Sequence, residues 1–128
     1  MNKDLKEKTN KIINHVLDTE FDNFIDFIGN KMDHWNDCFD HIYFIALFTH
    51  YTREQKTEEQ IFILIANKIL SYYDLRLEEE IEVYDSEYNF SGIFIDFTCN
   101  ENEFFLKIRD QEDEVHCIDF NPNHIKSE

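Results

Sequence analysis

The sequence predicts an α+β domain, with about four N-terminal helices packed on a C-terminal four-stranded antiparallel meander. Three observations carry this. The apolar period is close to 3.6 residues up to about Tyr73 and close to 2 from Leu75 onward. The polar links DSEYN, CNENE and DQED divide the second half into short strands. Helices followed by strands, rather than alternating with them, place helices and sheet in separate layers. At 128 residues the chain is read as a single domain (1–128), with helices over residues 1–74, a sheet over residues 75–121 and a tail over residues 122–128.

Leu5, Ile12, Ile13, Val16 and Leu17 recur at helical spacing among Lys, Asn and Glu, which predicts an amphipathic helix over about 3–18. Thr19 reads as the cap of the next helix, with Asp22 adding negative charge to its first turn. Phe21, Phe24, Ile25, Ile28, Met32 and Trp35 step by three and four, so this second helix should reach about Trp35 with Gly29 inside it. The run CFDHIYFIALFTHY is apolar nearly all round and predicts a buried third helix over about 38–52, with a strand as the competing reading. Thr57 and Gln60 form a capping box opening a fourth helix, about 58–73, whose apolar residues cover more than one face.

Alternation then takes over. Leu77, Ile81 and Val83 alternate with Glu78, Glu80 and Glu82, and two further runs alternate around Ile93–Phe97 and Phe104–Ile108. Glu114 to Phe120 makes the fourth strand, which Pro122 should end because proline has no N–H to give a ladder.

The composition supports a folded core and excludes several classes. Thirteen Phe, six Tyr and one Trp within a 42% apolar chain give enough surface to bury. Only two Gly and one Pro occur, so phosphate-binding glycine loops and flexible linkers are absent from the sequence. The charged start MNKDLKEKTNK carries no secretory apolar run, and the longest apolar stretches are far shorter than the roughly 20 residues that span a bilayer. Cys38, Cys99 and Cys117 are an odd, widely spaced set that fits reduced thiols, so a cytoplasmic location is expected.

Charge is the extreme feature: 28 acidic against 12 basic residues give −16, and residues 65–128 carry −11 of it. Such a field repels phosphate backbones and anionic membranes, so neither direct nucleic-acid binding nor membrane binding is expected, while encounter with a basic protein is accelerated. Asp22, Asp26, Asp33 and Asp37 would line one ridge of the second helix at spacings of four, seven and four, with Asp40 close by. Glu78, Glu80 and Glu82 would make a second row on one strand face. Solvation alone accounts for many such faces, and docking of a basic partner is the functional alternative. Exposed aromatics beside the acids, Tyr84, Tyr88, Phe94 and Phe105, are candidate anchors.

His34, Asp37, Cys38 and His41 could present metal ligands from one helical face. Against that, Asn36 and Asp37 look like a helix boundary and Trp35 and Phe39 crowd the region, so no metal or cofactor is assigned. No nucleophile or metalloprotease motif surrounds the remaining histidines, His15, His50, His116 and His124. Abundance deprives carboxylate pairs of diagnostic value, so no catalytic residue is assigned and the chain is not read as an enzyme.

In its acidic blocks, Asp22 to Asp40 and Glu78 to Glu87, its small size and its helices-then-meander order, the chain resembles the small acidic immunity proteins of bacterial toxin–immunity (contact-dependent growth inhibition) systems. The resemblance implies an inhibitor that neutralises a basic toxin domain, a nuclease in many such families, through its acidic surface. The alternatives are a nucleic-acid mimic that inhibits a DNA- or RNA-handling enzyme, and a small metal-dependent enzyme. The oligomeric state does not follow from the residues.

Overall fold

The structure, a computed structural model, describes residues 3–85, 87 and 89–127. The fold is α+β. Among the described residues the order is α1 (Lys3–Thr19), α2 (Phe21–Asn30), a 3-10 helix (Trp35–Asp40), α3 (Ile42–Arg53), α4 (Glu58–Tyr72), then β1 (Glu80–Tyr84), β2 (Asn89–Cys99), β3 (Phe104–Arg109), β4 (Val115–Asp119) and β5 (Ile125–Ser127). The chain divides into two compact units, 1–61 and 62–128, with the boundary in the first turn of α4.

In the first unit α2 brings Phe24, Ile25 and Ile28 inward, and α3 brings Tyr43, Phe44, Ala46 and Leu47. Phe24 stacks on Tyr43 with ring centroids 5.2 Å apart, and Phe44 lies 4.8 Å from Phe39 and 6.0 Å from Trp35. Aromatic pairs at these separations add to the gain from burial alone. From α1 only Ile13 is buried, while Leu5 and Ile12 remain largely exposed. Arg53 of α3 donates to the Asn10 side chain of α1 at 2.6 Å.

Three helix expectations are corrected here. Thr19 does not cap α2: it is the last residue of α1, its hydroxyl bonded back to the His15 carbonyl at 2.8 Å. The second helix stops at Asn30, not Trp35, because Asp37 Oδ2 accepts the backbone N–H groups of Asp33 and His34 at 3.1 and 3.0 Å and turns the chain into the 3-10 helix. The third helix begins at Ile42 after an extended His41, and its outer residues Ile42 and Ile45 are half exposed.

The capping box at the start of α4 is present in both directions. Thr57 N–H donates to Gln60 Oε1 at 2.9 Å, and Gln60 N–H to Thr57 Oγ1 at 3.2 Å. One wide stripe of α4 is buried, including Ile65, Ala66 and Ile69, while Ile63 and Tyr72 stay exposed, so its apolar residues are not covered on every side.

The sheet of the second unit is antiparallel, in the order β4-β3-β2-β1-β5. The first four strands form the expected meander. The strand count is corrected from four to five: β5 lies in the segment read from the sequence as a tail, on the far side of β1, pairing Ile125 with Val83 and Lys126 with Glu82. One sheet face carries the fully buried Ile81, Phe94, Leu106 and Ile108. Gly92 belongs to this row, and a β-carbon there would stand 2.6 Å from the Arg109 carbonyl oxygen and 2.7 Å from an Ile108 methyl. The ladder between β2 and β3 shifts register between Phe94 and Asp96, a bulge.

Candidate functional site

The acids of the first unit do not form the single helical ridge the spacing predicts. Asp22 and Asp26 share an exposed side of α2, across from Phe24, Ile25 and Ile28, and Asp33 lies beyond the helix end. Asp37 and Asp40 belong to the 3-10 helix. The hydrogen bond from the His34 backbone, with that from Asp33, holds the Asp37 carboxyl below its ordinary value of 3.8. Its charge serves the local turn. Asp22, Asp26, Asp33 and Asp40 are exposed and take part in no ion pair among the described residues.

Nor does the fold bring His34, Asp37, Cys38 and His41 together as a ligand set. The Cys38 sulfur is buried 3.2 Å from Met32 Sδ, and loss of solvent pushes its thiol up to about 12, so it stays protonated and inert. His41 Nδ1 accepts the Tyr43 N–H at 3.1 Å as the N-cap of α3, and its ring packs on Phe24 and Phe27. Burial lowers its pKa. Cys99 is buried and Cys117 is exposed.

In the second unit the acidic strand row shrinks to Glu80 and Glu82. Glu78 precedes β1 with φ of 68°, its N–H donating to the Phe94 carbonyl at 2.7 Å. A left-handed conformation at a residue with a β-carbon costs about 1–2 kcal/mol, offset here by that hydrogen bond into β2. Glu82 stands opposite Ser91 on one side and Lys126 on the other, and Tyr84 opposite Asn89. Phe94 is 0% exposed and is core, not an anchor, whereas Phe105 is partly exposed. Tyr88 lies outside the described residues.

The same register builds a concavity that the sequence did not reveal. A shallow groove of about 360 Å³ is lined by Glu82, Val83, Tyr84, Asn89, Phe90 and Ser91, at the turn end of the β1–β2 pair. Tyr84 is 41% exposed. Two residues singled out by charge and aromaticity, Glu82 and Tyr84, thus meet Ser91 and Asn89 of the neighbouring strand, while Phe90 pairs with Val83 on the other face. Cross-strand pairing is the cause: residues directly opposite each other lie only about 4.5–5.5 Å apart at their β-carbons.

A second grouping was hidden for the same reason. Asp110, Glu114 and His116 each place one oxygen or nitrogen within 4.8 Å of the others, at the β3–β4 turn. The arrangement is accounted for by the hairpin. Asp110 Oδ1 accepts the N–H groups of Glu112 and Glu114 at 2.8 and 3.0 Å, while Oδ2 lies 2.6 Å from His116 Nε2. The Phe90 ring packs 4.5 Å from the imidazole. One carboxylate therefore closes the turn and ties it to β4.

The hydrogen bond with the His116 side chain is the main reason the Asp110 carboxyl lies below 3.8, its ordinary value. A folded value below the unfolded one adds stability that is complete above pH 3.8 and disappears as pH falls through the depressed value. Urea melts of the native chain and of Asp110→Asn, compared between about pH 6 and about pH 2, should show a gap that closes on the acid side. A gap of constant size would show that the carboxylate charge is not what holds the turn.

No helix among the described residues is long and apolar enough to cross a membrane. Comparison of the chain with protein-family models, with curated proteins and with solved structures returns no match.

Proposed function

We propose that the chain is an inhibitor of the immunity type, which binds a basic toxin domain, a nuclease by the logic of charge, and neutralises it through an acidic surface. One observation carries the reading. Asp22, Asp26, Asp33 and Asp40 in the first unit and Glu80 and Glu82 in the second are all exposed, and none is in an ion pair among the described residues of a chain with net charge −16. Like charges spaced as Asp22 and Asp26 cost about 0.2–0.5 kcal/mol per pair. A basic partner reverses the sign of that contribution and is steered to the surface at a raised association rate.

The test is association of the purified chain with the product of the neighbouring gene, followed by surface plasmon resonance at low and high salt. Binding should weaken at least about tenfold between roughly 0.05 and 0.5 M salt, mostly through the association rate, because screening shortens the field to a few ångströms. The Asp22→Lys, Asp26→Lys double variant should slow association further. Co-expression should restore growth to cells carrying that product. An acidic neighbouring product, no binding at either salt, or binding indifferent to salt overturns the reading.

A further inference from the structure

The groove at the turn end of β1 and β2 has a chemistry more specific than the surrounding charge. Glu82 supplies a carboxylate, Tyr84 an aromatic ring and Asn89 a side-chain amide, all from one face of the β1–β2 pair, around a volume of about 360 Å³. That volume is near the lower end of the roughly 300–1,000 Å³ typical of small-ligand sites, which suits one long side chain rather than a whole ligand. The groove also sits in the densest acidic stretch of its unit, residues 78–87, where Glu78, Glu79, Glu80, Glu82, Asp85 and Glu87 fall within ten positions.

The geometry points to this groove as the receptor for an arginine side chain projecting from the basic partner. The inference rests on the proposed function and gives that docking a fixed point. A guanidinium is planar, always charged and weakly hydrated, so it can pair with a carboxylate through two parallel N–H···O bonds while its faces stack on aromatic rings. A carboxylate beside the Tyr84 ring matches both properties, and the Asn89 amide oxygen can accept a further N–H. A lysine ammonium is a compact, strongly hydrated point charge and uses only the carboxylate.

The neighbouring cations leave the groove available. Lys126 stands opposite Glu82 on β5 but is exposed, does not line the groove and forms no ion pair with Glu82 among the described residues. Arg109 is engaged with Asp113 at 3.7 Å.

The experiment is a titration of the full ¹⁵N-labelled chain with N-acetyl-arginine amide and, separately, N-acetyl-lysine amide, at constant ionic strength. The arginine probe should shift the backbone amides of residues 82–84 and 89–91 selectively, with the lysine probe several-fold weaker. Glu82→Gln, which keeps the size of the side chain, should weaken the arginine response about tenfold without altering the rest of the spectrum. Tyr84→Leu should reduce the preference for arginine over lysine.

Shifts spread evenly over the acidic surface, equal responses to the two probes, or an undiminished response in Glu82→Gln each overturn the assignment. The two readings fail separately. Salt-sensitive partner binding that survives Glu82→Gln unchanged removes the groove and leaves the inhibitor, whereas a selective arginine response without partner binding or protection of growth removes the inhibitor and leaves the groove.

Discussion

Replacing Phe24 by alanine is expected to cost the first unit about 3–5 kcal/mol, the range for truncating a buried phenylalanine. Phe24 is 1% exposed and touches the rings of Tyr43, Phe44 and His41, with centroids 5.2, 6.4 and 5.2 Å away. The loss has two components: the transfer energy of the ring and a cavity that α2 and α3 can close only incompletely. Against a total stability of about 5–15 kcal/mol for a typical domain, this is a large share. The single tryptophan, Trp35, is buried within the same aromatic cluster, so its fluorescence reports unfolding of this unit directly. A shift in the denaturation midpoint worth less than about 1 kcal/mol would mean that these rings are not its core. Phe24→Leu, which leaves a smaller void, should lose much less.

Gly92→Ala should destabilise the sheet by about 1–3 kcal/mol, although the same change normally stabilises by about 0.4–1 kcal/mol through the unfolded chain. The sign is decided by what the new methyl meets. The Arg109 carbonyl oxygen, 2.6 Å away, is backbone of the neighbouring strand and cannot rotate aside as a flexible side chain would. The Ile108 methyl at 2.7 Å belongs to a fully buried residue. Relief requires β2 and β3 to separate beside the Ile93–Arg109 pair, just before the register shift between Phe94 and Asp96. Thermal melts decide the matter: a Tm equal to or above that of the native chain would show that the strands yield freely at this point.

The features of this molecule that are encoded locally were legible in its sequence. A change of apolar period at Leu75 marks the passage from helices to sheet, and the Thr57–Gln60 pair marks the start of α4, because both depend on residues within one or two turns. The end of α2 was misread for a physical reason. Met32 and Trp35 continue the helical spacing, while the Asp37 carboxylate, acting from outside the helix, satisfies the N–H groups of Asp33 and His34 and starts a different turn. β5 has three residues, too few to show a period, and exists through pairing with a strand some forty positions earlier.

The site divides along the same line. Glu82 and Tyr84 could be singled out by charge and aromaticity, but their assembly with Asn89 and Ser91 depends on register across β1 and β2. His116 is six positions from Asp110, an interval with no meaning on one strand, and becomes a contact only because the chain turns back at Glu112 and Asp113.

The position of β5 governs how β1 can be recognised. With β2 on one side and β5 on the other, β1 is an interior strand, and much of its main chain is already engaged in ladders. A binding partner therefore cannot extend the sheet there by laying down a strand of its own, and must recognise β1 through side chains. The opposite margin, β4, pairs only with β3 among the described residues and carries Asp119, with Glu114 directly before it. Negative charge along such a margin discourages sheets of separate molecules from joining edge to edge.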